Sequence, residues 1–122
     1  MGRVNPILNA LTASPFEVIW KPKGNSMNPK INSGAQVRIK KVDLCVYRVG
    51  DAAYVKVNGS FYLHLISAID ETKGRYQISN NHGHVNGWTP GEHLFGLCVE
   101  VEGKIIISDE EIEKRKIKSS NT

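Results

Sequence analysis

The chain has 122 residues, of which 40% are hydrophobic and 23% are charged. This length and balance are typical of one globular domain that encloses a single hydrophobic core. No apolar run approaches the roughly 20 residues that a membrane-spanning helix needs, and residues 1–12 lack the apolar stretch of a signal peptide. The sequence therefore predicts a cytoplasmic protein that has no membrane as a partner.

The formal net charge is +4 at pH 7. Lysines cluster in the first third of the chain, at Lys21, Lys23, Lys30, Lys40 and Lys41. This cluster is sparser than the basic stripe of a dedicated nucleic-acid-binding protein, so nucleic acid is not expected as a partner. Two cysteines, Cys45 and Cys98, stand among apolar neighbours and form no Cys-x-x-Cys motif, which predicts small, buried, reduced side chains.

The first predicted element is a short helix over residues 5–13. Asn5 suits the capping position, Pro6 suits the first helical position, and Pro15 stops the helix. Strand patterns follow, with apolar and polar residues alternating over residues 16–21 and 35–42. Further strands are predicted at 51–57, 61–69, 75–79, 93–101 and 104–108.

Turn signals separate these strands. Asn58-Gly59 is a strong hairpin signal, because type I′ turns require positive φ at both central positions, and a second turn is expected at Glu102-Gly103. Residues 80–92 are interpreted as a long polar loop. About seven short strands in meander order predict a mainly β fold, a compact antiparallel sheet or barrel.

The C-terminal residues 108–122 predict a polar helix. Ser108 and Glu111 form a capping-box pattern. The apolar residues Ile112 and Ile117 are five positions apart, which gives little apolar face and predicts a solvated helix. We interpret residues 1–122 as one domain, with a core over about 16–107 and this helix at its end.

Ser26 lies in a segment that also contains Gly24 and Pro29. A serine between a glycine turn and a proline predicts a sharply shaped, exposed loop. Such a loop exposes a nucleophile and leaves backbone N–H groups free to bind an oxyanion. Taken alone, a serine in a turn is more often a structural residue.

The order of the motifs that follow is more informative. A Ser-Met-x-Pro box is followed by a Gly-Asp pair entering a strand, a strand with a basic side chain, an Asn-Asn pair and a late Phe-Gly strand: Ser26, Gly50-Asp51, His64, Asn80-Asn81 and Phe95-Gly96. This order resembles the superfamily of signal peptidases and LexA-type self-cleaving peptidases. The resemblance covers residues 23–101. It implies their β fold, with Ser26 as nucleophile and His64 as general base.

The base is where this sequence departs from most of that superfamily. LexA-type peptidases and most bacterial signal peptidases have a lysine there, whereas the endoplasmic-reticulum and archaeal signal peptidases have a histidine. A neutral imidazole, with a pKa of about 6.5, accepts a serine proton near neutral pH. The alternative is that His64 is a core histidine, sharing one strand face with Tyr62 and Ile66.

A third catalytic member is harder to identify. Histidine-type peptidases have an aspartate in the box that Asn80 occupies here; an amide can orient the base but cannot stabilise an imidazolium by charge. Asp51 and Asp70 are alternatives near it in sequence. Asn25 and Met27 are further candidates for orienting the site or for binding the oxyanion.

Histidines in the segment 80–93 allow another interpretation. His82 and His84 form a His-x-His pair that suits zinc, with His93 and Glu92 nearby. The Asn, Gly and Pro content of the segment favours tight turns instead. We therefore expect no metal and no cofactor.

Two functions follow from the resemblance. The first is a serine peptidase with a Ser-His dyad, whose partner is a protein or peptide substrate bound as an extended strand, with small side chains next to the cleaved bond. Because only 25 residues precede Ser26, we expect cleavage in trans. The segment 80–88 is similar to stretches in small phage-encoded members, which favours a phage processing protease in the host cytoplasm or the virion.

The second function keeps the fold without the chemistry. The absence of a lysine in the base strand and of an aspartate at Asn80 would permit an inactive module. Such a module would be a structural, cargo or binding subunit of a phage assembly, with partner subunits that hold its termini.

Overall fold

The computed structural model of the chain describes Asn5, Ile7, Leu8 and residues 17–120. Ile7 and Leu8 are helical, and the backbone N–H of Leu8 donates to Asn5 Oδ1 at 3.0 Å. This is the capping bond expected of Asn5. The other residues of the predicted N-terminal helix, Pro6 and Pro15 included, lie outside the described residues.

Within the described residues, eight strands form one antiparallel sheet, which confirms the mainly β prediction. The strands are β1 (Glu17–Trp20), β2 (Val37–Lys40), β3 (Ala52–Val57), β4 (Ser60–Asp70), β5 (Arg75–Ser79), β6 (Val85–Pro90), β7 (Leu94–Val101) and β8 (Lys104–Ile105). Two 3₁₀ turns, Leu44–Val46 and Gly91–His93, and a C-terminal helix, Asp109–Ser120, complete the fold. In the described part of the chain, no helix has the length and apolar character needed to cross a membrane.

The strand order differs from the meander that the sequence predicts. The order is β1-β2-β7-β3-β4-β5-β6, so the late strand β7 lies between β2 and β3. Leu97 of β7 pairs with Lys40 on one edge and with Ala53 on the other. Five of the eight residues of β7 are buried and the other three are half-buried, which suits a central strand.

Both predicted hairpin turns are confirmed. The φ angles are 49° and 82° at Asn58 and Gly59, and 49° and 79° at Glu102 and Gly103. The strand after the second turn is shorter than predicted, because only Lys104–Ile105 pair with β7.

The predicted loop over residues 80–92 is wrong, because it contains strand β6. Its Asn, Gly and Pro residues are typical of turns, so the sequence does not indicate a strand here. Tertiary contacts decide the conformation instead. β6 pairs with β5 along one edge. On its other side, Thr89 Oγ1 donates to the Lys56 carbonyl at 2.7 Å, and Asn58 Nδ2 donates to the Asn86 carbonyl at 2.8 Å. The sheet thereby curls until β6 meets the end of β3.

Two hydrophobic clusters cover the two faces of the sheet. Alternate residues of β3 enter different clusters, Ala53 and Val55 entering one and Ala52 and Tyr54 the other. The first cluster also contains Ile66, Ile78 and Leu97, and the second contains Met27, Ile31 and Cys98. Strand β3 is therefore buried on both faces, as an interior strand should be.

The C-terminal helix is docked, which corrects the prediction of a solvated helix. Its start is as predicted, since the N–H of Glu111 donates to Ser108 Oγ at 3.1 Å. Ile112 is buried in the first cluster. Arg115 Nη1 lies 2.8 Å from the buried carboxylate of Asp51. One apolar residue and one buried ion pair therefore fix a helix that has little apolar face.

The two cysteines differ. Cys98 is fully buried, as predicted, and burial raises the pKa of its thiol to about 11. The prediction for Cys45 is wrong, because Cys45 is exposed in the first 3₁₀ turn.

Candidate active site

Ser26 lies on an exposed turn, residues 24–29, which we call the serine loop. Met27 and Ile31 are buried in the second hydrophobic cluster, and the N–H of Ile31 donates to the Met27 carbonyl at 2.8 Å. These apolar anchors fix the chain on one side of Ser26. The serine side chain is left on the surface, as the sequence predicts.

The segment after β5 stabilises the serine loop through hydrogen bonds. The backbone N–H of Asn81 donates to the Ser26 carbonyl at 2.9 Å. Asn81 Nδ2 donates to the Asn28 carbonyl, and His82 Nε2 to the Asn25 carbonyl, each at 3.0 Å. Three carbonyl groups of the serine loop are thus fixed to the segment that follows β5.

His64 lies in the middle of β4, where it is 5% exposed. Its ring stacks on Tyr62 with 4.5 Å between ring centroids. His64 Nε2 lies 3.0 Å from Ser26 Oγ. The structure thus brings together the two residues that the sequence marks as nucleophile and base, although 38 positions separate them.

Asn86 contacts the other ring nitrogen of His64. Asn86 Oδ1 lies 2.7 Å from His64 Nδ1. Because an amide oxygen only accepts, the proton of the neutral ring is on Nδ1 and the lone pair of Nε2 faces the Ser26 hydroxyl. This is the tautomer that a general base requires, and an asparagine has the same orienting role in Cys-His-Asn sites.

A β-bulge gives Asn86 its direction. Along the β5–β6 pair, Ile78 is opposite Gly87 and Ser79 is opposite Val85, so Asn86 is an extra residue with no partner in β5. Bulges turn side chains away from their regular direction and are common beside active sites. Asn86 lies in a stretch that the sequence predicts to be a loop, and one asparagine in a polar segment gives no separate signal, so this residue could not be recognised from the sequence.

The other candidates for a third member have different roles in the structure. Asn80 Oδ1 accepts from the backbone N–H groups of His82 and His84, at 2.8 and 3.0 Å, which shapes the turn before β6. Asp51 is paired with Arg115. Asp70 Oδ1 accepts from the N–H of Lys73 in the β4–β5 turn.

The candidate oxyanion residues lie in the serine loop. Asn25 Oδ1 accepts from Asn28 Nδ2 at 3.2 Å, so the Asn25 side chain is directed along the loop. The backbone N–H groups of Ser26 and Met27 have no hydrogen-bond partner within the described residues. Two backbone donors beside the Ser26 hydroxyl are therefore unused within the described part of the chain.

Burial sets the protonation of His64. Burial lowers the pKa of His64 below its ordinary value; the hydrogen bond that the ring donates to Asn86 Oδ1 opposes this shift, and the charge of His84 adds to it. The ring is therefore neutral near pH 7, which is the form that can accept a proton.

A groove of about 260 Å³ begins at Ser26 and His64. One wall is the end of β1 and the chain after it, including Trp20 and Lys23, and the other is the first half of β4, including Leu63. The groove therefore offers a mixed apolar and polar surface, with one cation, beside the serine hydroxyl.

The first half of β4 has a free backbone edge along this groove. In the β3–β4 hairpin, Val57 and Ser60 flank a two-residue turn, so Ser60, Tyr62 and His64 direct their backbone polar groups toward β3. Phe61 and Leu63 direct theirs to the opposite edge. Since β5 pairs with β4 only from Leu65 onward, the N–H and C=O groups of Phe61 and Leu63 have no strand partner among the described residues.

The histidines considered as metal ligands do not form a cluster. His82 contacts the Asn25 carbonyl, while His93 Nδ1 lies 3.1 Å from Thr89 Oγ1. In the portion of the chain that the structure describes, no group of three His, Cys, Asp or Glu side chains is arranged to hold a metal ion.

Comparison of the chain with protein-family models, with curated proteins and with solved structures finds no match. The assignment of a function therefore depends on the geometry of the site and on the motifs of the sequence.

Proposed function

We propose that this chain is a serine endopeptidase of the signal peptidase and LexA-type superfamily, with Ser26 as nucleophile and His64 as general base. One observation carries the proposal. Ser26 Oγ lies 3.0 Å from His64 Nε2, while Asn86 fixes the opposite nitrogen at 2.7 Å. A nucleophile, a base and an orienting residue in one hydrogen-bonded series are the parts that acyl transfer requires.

In the proposed reaction, Ser26 Oγ attacks the carbonyl carbon of the scissile bond as His64 Nε2 takes the hydroxyl proton. The N–H groups of Ser26 and Met27 stabilise the resulting oxyanion. His64 then returns the proton to the leaving amine, which leaves an acyl group on Ser26. Water, activated by the same nitrogen, releases the acid. Asn86 Oδ1 accepts the Nδ1 proton of the ring throughout, but a neutral amide stabilises the imidazolium less than a carboxylate would.

The free edge of β4 is consistent with a substrate that binds as an extended strand. A peptide strand beside Phe61 and Leu63 would pair with their backbone groups and pass Ser26. The groove then has room for a side chain of the substrate between Trp20 and Leu63. The resemblance implies small side chains next to the cleaved bond, and a phage processing role in the host cytoplasm or the virion.

Cleavage of a peptide library, read by mass spectrometry, tests the proposal. We expect the wild type to release defined products, and Ser26→Ala and His64→Gln to release none. Ser67→Ala is the matched control, because Ser67 is an exposed serine on β4 whose hydroxyl bonds to Gln77. Products that persist in Ser26→Ala, or no cleavage of any peptide by the wild type, would contradict a serine peptidase and leave the inactive module as the better hypothesis.

A cleaved peptide from this library allows a second test of how the substrate binds. N-methylation of one backbone nitrogen at a time removes one donor each time. We expect the largest losses at two positions two residues apart, because the carbonyls of Phe61 and Leu63 accept from alternate residues of a paired strand. Equal effects at all positions would argue against pairing with β4.

A further inference from the structure

The β3–β4 turn contacts the strand that carries Asn86. Asn58 is the first residue of this turn, with φ of 49°, and its side chain is exposed. Asn58 Nδ2 donates to the backbone carbonyl of Asn86 at 2.8 Å. A turn 28 residues away in sequence thus fixes the backbone of the residue that contacts His64.

Gly87 permits this contact. Its φ is +138°, a backbone conformation that residues with a side chain rarely adopt. A Cβ atom at position 87 would lie 2.9 Å from Asn58 Nδ2 and 3.4 Å from Val57 Cγ2. A residue other than glycine would therefore separate β6 from the turn or displace the Asn58 side chain.

These contacts determine the position of a bulged residue. Asn86 has no partner in β5, so pairing with that strand does not fix it. On the other side of β6, the bond from Asn58 holds its carbonyl and the Thr89 bond to Lys56 anchors the strand three residues later. The Asn86 side chain can then direct Oδ1 at His64.

We propose that Asn58 is a positioning residue that acts through Asn86. It keeps the proton of the neutral His64 ring on Nδ1, so that the lone pair of Nε2 faces Ser26. For catalysis, this inference rests on the proposed peptidase function. The turn alone does not require asparagine, because glycine and aspartate also adopt positive φ at this position. Of these three residues, only asparagine has a side-chain donor for the Asn86 carbonyl. The choice of asparagine is thereby explained by the site as well as by the turn.

Two substitutions at position 58 separate the role of Asn58 in the turn from its role as a donor to the Asn86 carbonyl. Asn58→Gly keeps a residue that accepts positive φ and removes the donor. Asn58→Asp keeps the size of the side chain but presents an acceptor to the Asn86 carbonyl. Glu102→Gly is the matched control, because Glu102 has the same φ of 49° at the same turn position of the β7–β8 hairpin. Thermal unfolding of each variant shows whether the fold is retained.

The first readout is the protonation state of the two ring nitrogens of His64, and this measurement does not need enzymatic activity. In protein labelled with ¹⁵N-histidine, the imidazole nitrogen shifts report which nitrogen carries the proton, and His64→Gln identifies the His64 signals. We expect the wild type and Glu102→Gly to show a single tautomer with the proton on Nδ1. Asn58→Gly and Asn58→Asp should show a mixture of tautomers. Wild-type His64 signals in both folded variants would overturn the inference.

The second readout is the kinetics of peptide cleavage. Asn58→Gly should lower kcat by about fivefold to tenfold, the loss expected for one hydrogen bond that acts on the base, with little change in KM. Unchanged kcat in this variant would overturn the positioning role. If the wild type cleaves no peptide, the proposed function fails, and the tautomer measurement alone then decides the inference about Asn58.

Discussion

The two sides of the candidate site are built differently. Ser26 lies on an exposed loop that hydrogen bonds from Asn81 and His82 fix from outside. His64 is buried in β4 and stacks on Tyr62. Ser26 is thus positioned mainly by hydrogen bonds at the surface, beside the buried anchors Met27 and Ile31. His64 is positioned mainly by packing inside the sheet, with Asn86 orienting its ring. This difference predicts that substitutions on the two sides affect activity alike but stability differently.

Ser26→Ala should have the largest effect on activity and a small effect on stability. We expect kcat to fall by at least about 1000-fold, because the proposed nucleophile is lost. The free energy of unfolding should change by less than about 1 kcal/mol, because Ser26 is an exposed residue whose hydroxyl makes one hydrogen bond, to His64. Peptide cleavage and urea unfolding measure the two quantities, and a large destabilisation would contradict the account of the serine loop.

His64→Ala should lose a similar share of activity and also destabilise the fold. Removing the ring leaves a space beside Tyr62 and leaves Asn86 Oδ1 without its partner, which together should cost about 1–3 kcal/mol. Urea unfolding next to Ser26→Ala measures the contrast. Equal stability of the two variants would contradict the difference between the two sides.

Asn86→Ala should have the next largest effect. We expect kcat to fall by about 10- to 100-fold, less than the roughly 10⁴-fold loss when a charged orienting residue is neutralised. The pKa of His64 should fall, because the hydrogen bond that its ring donates to Asn86 raises it in the wild type. Asn86→Asp should raise this pKa and retain activity, since a carboxylate also accepts from Nδ1 and stabilises the imidazolium. NMR titration of His64 and steady-state kinetics measure both variants, and an unchanged pKa in Asn86→Ala would contradict the orienting role.

Stability should depend on pH through His64. Because burial lowers the pKa of His64 in the folded state, the unfolded chain, with a pKa of about 6.5, binds a proton first as the pH falls. The contribution of the neutral ring is therefore complete above about pH 6.5 and is lost as the pH falls through the folded pKa. Urea unfolding between pH 7 and pH 5 should show a steeper decline for the wild type than for His64→Gln. Parallel declines would contradict this prediction.

Asn81→Ala should have the smallest effect of the series. It removes the bond from Asn81 Nδ2 to the Asn28 carbonyl but keeps the backbone bond to Ser26. We expect kcat to fall by about threefold to tenfold, which is the loss expected when one hydrogen bond is removed. The NMR signals of the His64 ring nitrogens should not change. A shift of those signals would mean that the two sides of the site are not independent.

The parts of this molecule that local patterns could predict are the turns and most strands. Ser26 and His64 are indicated instead by the order of the motifs and by the resemblance that this order carries, because a turn serine and a strand histidine give no specific signal alone. Positive φ at Asn58-Gly59 and alternation in β2 are properties of neighbouring residues, so the sequence displays them. Strand β6 and its bulged Asn86 could not be predicted, because contacts with β5 and with Asn58 decide their conformation.

Two other features also depend on distant contacts. The insertion of β7 between β2 and β3 is a pairing choice that no local pattern encodes. The docking of the C-terminal helix depends on Arg115 reaching Asp51, 64 positions earlier. Both features join segments that are far apart in sequence, which single-sequence patterns do not relate.

The most direct test of the central claim compares the titration of His64 with the pH dependence of cleavage. NMR gives the pKa of the His64 ring in the free protein, and the acid limb of kcat/KM gives the pKa of the essential base. We predict that both values lie below about 6.5, that they agree, and that both fall in Asn86→Ala. A rate profile whose acid limb does not coincide with the titration of His64 would contradict the assignment of this histidine as the base.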